Sequence, residues 1–139
     1  MGKVLIIKSA DFSENALAQV SFSDWEEVNL DSFTLRNYMI ASTNKWTTPG
    51  RCVTIPVTPG QQYRITANST KAAHYAPLTT DSISSGTTPS WASGVSGRIV
   101  LAAGTTATVT MPSDAQYLYI LFGTSDDSNK PSLVEVYNP

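Results

Sequence analysis

Charged residues are scarce in this sequence. Lys, Arg, Asp and Glu make up 14% of its 139 residues, against about a quarter in an average globular domain. The formal net charge is -2. A protein that binds duplex nucleic acid presents a basic surface to the phosphates, so this composition argues against that class. It also disfavours a helical bundle, which would be rich in Glu, Lys, Arg and Ala.

Cysteine and histidine occur once each, as Cys52 and His74. One cysteine cannot form an intramolecular disulfide, and one Cys with one His cannot complete a tetrahedral zinc site. Cys52 lies in an alternating apolar pattern, which predicts a small buried side chain, with a reactive thiol as the alternative. His74 would have to serve any nucleophilic triad, yet no Gly-x-Ser-x-Gly elbow precedes a helix.

Acidic residues fall mostly in turns, where Asp caps backbone amides. The sequence therefore predicts no catalytic site and no enzyme activity, with a hydrolase that uses a shallow carboxylate site as the alternative. The segment "SDDSN" at 125–129 lacks the full oxygen spacing and the glutamate of a calcium loop. We expect a plain turn there and no cofactor, with a structural calcium ion left open.

Long apolar runs are absent as well. No segment reaches the 18 or more apolar residues of a transmembrane helix. The apolar run at 4–7 is closed by Lys8 and is shorter than the roughly 7–15 residues of a signal peptide. These features predict a protein that is made in the cytoplasm, without membrane insertion, and that either stays there or leaves by lysis.

What the sequence does contain is serine and threonine, at 34 positions, and short alternating apolar runs between Gly and Pro turns. Alternation predicts two strands on either side of residues 58–62 and a second hairpin around Gly104. Pro56 lacks an amide donor, which predicts a sheet edge or a bulge for its strand. The run at 117–123 is apolar on both faces and predicts the central core strand. Other strands are predicted at 3–8, 35–41, 72–79 and 133–138.

Eight or nine short strands with almost no helix predict an all-β fold, a two-sheet antiparallel β-sandwich in one domain over 1–139. A short N-terminal helix is expected over 14–20, with Ser13 as its N-cap.

Aromatic side chains in polar, turn-rich segments predict the binding site. Flat sugar faces stack on Trp and Tyr rings while nearby polar groups bond the hydroxyls. We therefore predict that Trp46, Trp91 and the neighbouring pair His74 and Tyr75 contact a ligand. The alternative is that the loop tryptophans cover the end of the sandwich. Trp25 is expected in the core or as a lid.

Two phrases, "IPVTPGQQYRITA" and "TTATVTMPSDAQYLYI", resemble the signature of jelly-roll, carbohydrate-binding-module-like domains with a galactose-binding-like sandwich. Such domains occur in phage fibre and baseplate proteins and in bacterial surface glycan binders. The opening "KVLIIKSADFSENAL" resembles the start of small virion proteins from phages of gut bacteria. The matching positions are Val57, Pro59, Gly60, Tyr63, Ile65, Val109, Pro112, Asp114, Ala115, Tyr117 and Tyr119.

The resemblance implies a non-enzymatic virion structural protein, located in the fibre, the head decoration or the tail. Its implied partners are other virion proteins, further copies of itself in a homotrimer, and a cell-surface glycan of the host. The alternative is a free-standing bacterial carbohydrate-binding module or adhesin domain. The two phrases themselves are structural, and the family's sugar-contacting residues vary.

Overall fold

The computed structural model describes residues 23–139. The strand predicted at 3–8 and the helix predicted at 14–20 lie outside these residues. Within them, ten strands and a single 3₁₀ turn, Leu30–Ser32, form the regular structure. The prediction of an all-β fold with very little helix is therefore confirmed.

All strand pairs are antiparallel. Strands β1, β10, β5 and β8 form one four-stranded sheet in that order, called the first sheet here. Strands β4, β9, β6 and β7 form the second sheet, and β2 and β3 form a two-stranded ribbon. The bounds are β1 Trp25–Glu27, β2 Met39–Ile40, β3 Trp46–Thr47, β4 Arg51–Pro56, β5 Gln62–Thr66, β6 Ala73–Leu78, β7 Ile99–Leu101, β8 Thr106–Thr110, β9 Tyr117–Gly123 and β10 Leu133–Tyr137.

The main core lies between the two sheets. Alternate side chains of each strand point to the same face, so β4 contributes Val53 and Ile55 while β5 contributes Tyr63 and Ile65 to one buried cluster. Burying an aliphatic or aromatic side chain of this size stabilises a fold by roughly 1.5–3 kcal/mol. The predicted sandwich-like arrangement of two antiparallel layers follows from this shared core.

The two predicted hairpins are wrong. Strands β4 and β5 belong to different sheets, as do β7 and β8, so each connection is an arch that crosses the core. Gly60 and Gly104 take positive φ values of 79° and 74° in these arches, a conformation that costs glycine little. Alternation and turn chemistry are the same in an arch as in a hairpin, which is why the sequence pattern did not separate them.

Other strand predictions fared better. Strand β9 lies between β4 and β6 at the centre of the second sheet, as predicted. Strand β4 is at the edge and shifts register between Arg51 and Cys52, which confirms the interpretation of Pro56. The strand expected at 35–41 is limited to Met39–Ile40, whereas the strand expected at 72–79 is confirmed as β6, Ala73–Leu78.

A third layer covers part of the second sheet's outer face. The β2–β3 ribbon places Ile40 and Trp46 in a second buried cluster. The Trp46 amide donates to the Thr87 carbonyl at 2.9 Å, and the Gly86 amide donates to the Trp46 carbonyl at 2.8 Å. The loop after β6 is thereby fixed to the ribbon. The second cluster consists of Ile40, Trp46, Cys52, Ala76, Leu78, Tyr119 and Leu121.

Candidate binding site

Two of the four predicted site residues are buried. Trp46 lies in strand β3 and not in a loop, with 1% of its surface exposed. Its ring contacts Tyr119 edge-on, with centroids 5.5 Å apart. Tyr75 points from β6 into the main core and is 6% exposed. Neither ring is available to stack on a ligand from solvent.

His74 points from β6 to the opposite face, where it is half-buried. Its Nδ1 lies 3.2 Å from Nη1 of Arg98. A guanidinium only donates, so Nδ1 accepts and the neutral ring carries its proton on Nε2. Burial and then the Arg98 charge lower the pKa of His74. Arg98 also donates to the Ile40 carbonyl at 3.2 Å, so this pair anchors the β2–β3 ribbon.

Trp91 is half-buried and packs against the second cluster. It forms an isolated bridge with Leu78, and Leu78 pairs with Tyr117 of β9. Tyr117 in turn pairs with Pro56 at the sheet edge. Because neighbouring strands are about 4.8 Å apart, Trp91 and Tyr117 lie roughly 10 Å from each other on one face. Of the four predicted site residues, Trp91 is therefore the one connected through paired strand residues to Tyr117, which lines the groove described next.

The groove lies where the third layer ends, over the outer face of β4 and β9. Its volume is about 450 Å³. Tyr117, Thr54 and Pro56 come from the sheet, while the segment before β2 and the loop after β6 supply the remaining residues. The full lining is Phe33, Thr34, Arg36, Thr54, Pro56, Asp81 and Tyr117.

Backbone pairing fixes one wall of the groove. The Arg36 amide donates to the Cys52 carbonyl at 2.7 Å and the Cys52 amide donates back at 3.0 Å, which holds this segment against the edge of β4. The Arg36 guanidinium then reaches Asp81, with Nη1 3.8 Å from Oδ2 and 3.4 Å from the backbone oxygen. Both side chains stay partly exposed, at 31% and 45%. A cationic donor and an anionic acceptor thus stand together beside the tyrosine ring.

Sequence reasoning did not select Tyr117, Arg36 or Asp81 as site residues. The sequence predicts Tyr117 within the core strand, but it is the first residue of β9 and is only half-buried. The polar turn directly before Tyr117, which ends in Gln116, is the sequence feature that indicates an exposed position for this ring. Arg36 and Asp81 are 45 positions apart, and no local pattern joins them.

Other ionisable groups serve the fold. Burial raises the pKa of Cys52 to about 12, so this thiol stays protonated and the prediction of a small buried side chain is confirmed. In the 125–129 segment, Asp126 accepts from the Ser128 amide at 3.0 Å and Asp127 pairs with Arg51 at 2.9 Å. Across residues 23–139, no group of three or more His, Cys, Asp or Glu side chains is placed to hold a metal ion.

A smaller hollow of about 160 Å³ lies beside the 3₁₀ turn. Lys130 Nζ crosses it to reach Asp31 Oδ1 at 2.7 Å. The hollow offers no aromatic side chain among its lining residues, so it is a weaker candidate than the groove.

Comparison with known proteins gives no match to a family model, a curated protein or a solved structure. In the part of the chain from residue 23 onward, no helix is long and apolar enough to cross a membrane.

Proposed function

We propose that the protein is a non-enzymatic jelly-roll domain that binds saccharide and forms part of a phage virion. The strand order supports the topology. Counted along the chain without the β2–β3 ribbon, the sandwich strands read 1-8-3-6 in the first sheet and 2-7-4-5 in the second. This is the order expected when eight antiparallel strands form two interlocked Greek keys.

The observation that carries saccharide binding is the Tyr117 ring beside the Arg36–Asp81 pair. A pyranose has an apolar face that packs on an aromatic ring and a rim of hydroxyls that both donate and accept. Arg36 supplies donors, Asp81 supplies acceptors, and Thr54 supplies a hydroxyl in the same groove. Because the positive charge of Arg36 and the negative charge of Asp81 offset each other, the groove suits an uncharged sugar better than an acidic one.

The proposal of virion membership rests on the family resemblance of the two strand phrases and of the opening segment. The alternative, a free-standing bacterial carbohydrate-binding module or adhesin domain, would use the same groove. Mass spectrometry of purified phage particles separates the two. Peptides of this chain at stoichiometric abundance are expected, and particles that lack the chain would contradict virion membership while leaving the groove untouched.

Saccharide binding is tested on a glycan array followed by calorimetry with the best ligand. We expect Tyr117→Ala to weaken binding at least tenfold and Asp81→Asn to weaken it by a smaller factor. Trp91→Ala should have a lesser effect, because Trp91 does not line the groove.

The matched control is Tyr137→Ala, a half-buried tyrosine on the outer face of the first sheet, which should bind like the wild type. The proposal fails if no saccharide binds, or if Tyr117→Ala binds as tightly as the wild type while its circular dichroism spectrum is unchanged.

A further inference from the structure

The edges of the two sheets differ in how they are protected. At the edge of β4, Pro56 lacks an amide donor and Arg36 pairs with Cys52, so a further strand is blocked. On the other side of the sandwich, β7 and β8 end the second and first sheets. Neither has a strand partner on its outer side among residues 23–139. Because the arch between them is only four residues long, both open edges face the same way.

The β7–β8 side also lacks the usual protection against association. Exposed edges are commonly guarded by charged side chains, proline or bulges. No charged residue occurs from Ile99 to Ser113, and the first proline after β7 is Pro112. Ile99 and Val100 of β7 are 36% and 54% exposed, and they are the large hydrophobic residues left exposed in the described part of the chain.

The backbone of β8 is arranged for pairing on its open side. The Ala67 amide bonds to the Thr105 carbonyl, and the Met111 amide bonds to the Gln61 carbonyl, both at 2.9 Å. Odd-numbered residues of β8 therefore exchange hydrogen bonds with β5, and pairing alternates along an antiparallel ladder. The amides and carbonyls of the three even-numbered residues point to the open side. These residues are Thr106, Thr108 and Thr110.

Strand β8 is also self-complementary. Its sequence, Thr-Ala-Thr-Val-Thr, alternates symmetrically about Thr108. If two copies pair antiparallel with Thr108 opposite Thr108, then Thr106 of one faces Thr110 of the other, and Ala107 faces Val109. All three threonine pairs fall on outward-pointing backbone groups, which allows six backbone hydrogen bonds.

We propose that two copies of this chain associate through β8, around a two-fold axis at Thr108, to form a continuous eight-stranded sheet. Hydroxyl would face hydroxyl across the new pairing, an arrangement that the chain already contains, since the Thr66 and Thr106 hydroxyls lie 3.0 Å apart. Cross-strand threonine pairs of this kind are favourable. No like charges meet at the contact. The exposed Ile99 and Val100 of both copies lie on the same side of the sandwich as the β8 contact.

Oligomeric state gives the first test. Sedimentation velocity of the full chain over a hundredfold concentration range should show a monomer–dimer equilibrium. Thr108→Glu should raise the dissociation constant of the dimer at least tenfold, because two introduced carboxylates meet at the axis. Within one chain the new carboxylate lies opposite Arg64, so the fold should tolerate it. Thr66→Glu on the same sheet face, one strand in from the edge, is the matched control and should dimerise normally.

Register gives the second test. Two hydrogen-bonded partners in an antiparallel pair have Cα atoms about 5.5 Å apart, so Thr108→Cys should be cross-linked to its copy by a short bis-maleimide. The native Cys52 is buried and should not react. In Thr66→Cys the two positions would be separated by three strand spacings, about 14 Å or more, and should stay uncross-linked.

A chain that remains monomeric at all concentrations overturns the proposal, as does a trimer. Equal cross-linking of Thr108→Cys and Thr66→Cys also overturns it. Failure here leaves the saccharide groove unaffected, because the groove lies at the β4 edge of the sandwich, away from β8.

Discussion

The two sheets differ at their outer faces: β5 and β8 of the first sheet alternate between more buried and more exposed residues, whereas β6 and β9 of the second sheet are buried on both faces. On the first sheet, the outer face carries polar side chains such as Arg64, Glu135 and Thr108, which lie side by side across the strands. On the second sheet, the equivalent face carries Tyr119 and Leu121, and the β2–β3 ribbon and the loop after β6 cover them. The second sheet is therefore covered by a third layer on its outer face, whereas the outer face of the first sheet is polar and is called the open face below.

This difference separates two ways of using aromatic residues. On the first sheet, Trp25 contacts Tyr137 edge-on at 5.1 Å, and the Arg64 guanidinium stacks 4.3 Å from the Trp25 ring centre. Such contacts at exposed sites contribute about 0.5–1 kcal/mol. In the second cluster, whole aromatic side chains are buried away from water, which contributes several times more to stability. The third layer thus depends on burial, whereas the open face depends on weak pairwise contacts.

Replacing the buried tryptophan of the third layer tests this difference most strongly. We expect Trp46→Ala to lower the free energy of unfolding by about 3–5 kcal/mol, because a fully buried aromatic residue leaves a cavity. Trp25→Ala, the matched change on the open face, should cost about 1 kcal/mol. Urea denaturation followed by circular dichroism measures both values.

Trp46→Phe refines the experiment. Within residues 23–139 the Trp46 Nε1 has no hydrogen-bond partner although it is buried, and an unsatisfied donor is costly. The phenyl ring keeps much of the packing and removes that donor, so Trp46→Phe should be far less harmful than Trp46→Ala. Equal losses for Trp46→Ala and Trp25→Ala would contradict the three-layer interpretation.

The sequence predicted the layers better than the connections. Residues 117–123 are apolar on both faces, and the structure explains this by placing the main core on one side of β9 and the second cluster on the other. Whether a turn closes a hairpin or an arch depends on which distant strand pairs with each arm. In β4 that partner is β9, more than 60 residues further along the chain, and no local pattern encodes it.

The site was harder to predict for the same reason. Trp46 stands among polar residues in "STNKWTTPG", which is typical of a loop, but tertiary packing turns its ring inward beneath that polar segment. Trp25, expected as core or lid, lies on the open face instead, at the end of an edge strand paired with Tyr137. The groove joins Arg36, Asp81 and Tyr117 from three segments, so only the assembled sheet brings them together.

A second prediction concerns the Tyr119 hydroxyl, which links the β2–β3 ribbon to the second sheet. The Ile40 amide donates to the Tyr119 hydroxyl at 3.0 Å in a buried environment. Tyr119→Phe should cost about 1–3 kcal/mol of unfolding free energy, because it leaves this amide unsatisfied. Tyr137→Phe on the open face serves as the control and should change stability by less than about 0.5 kcal/mol. Similar values for the two variants would show that the ribbon is not held by this bond.

Acidification should loosen the third layer through His74. The folded-state pKa of His74 lies below its ordinary value of 6.5 because of burial and the Arg98 charge. Its contribution to stability is therefore complete above pH 6.5 and is lost as the pH falls from there through the folded-state pKa. His74→Gln keeps an acceptor for Arg98 without titrating, so its stability should vary less over pH 7.5–4.5. A wild type and a variant with parallel pH profiles would exclude this role.

The smallest effect is expected on the open face, at the ion pair between Arg64 Nε and Glu135 Oε1, which are 2.8 Å apart. Glu135→Gln keeps the shape of the side chain and removes its charge. The two side chains are 34% and 16% exposed. Ion pairs at a partly exposed surface contribute little, and the screening length in 1 M salt is only about 3 Å. Any loss of stability in Glu135→Gln should therefore shrink when the urea titration is repeated in 1 M NaCl. The loss in Tyr119→Phe should persist, because no charge is involved there. If the Glu135→Gln loss were large and independent of salt, the outer face of the first sheet would not depend on weak, screened contacts, and the contrast between the two faces would no longer stand.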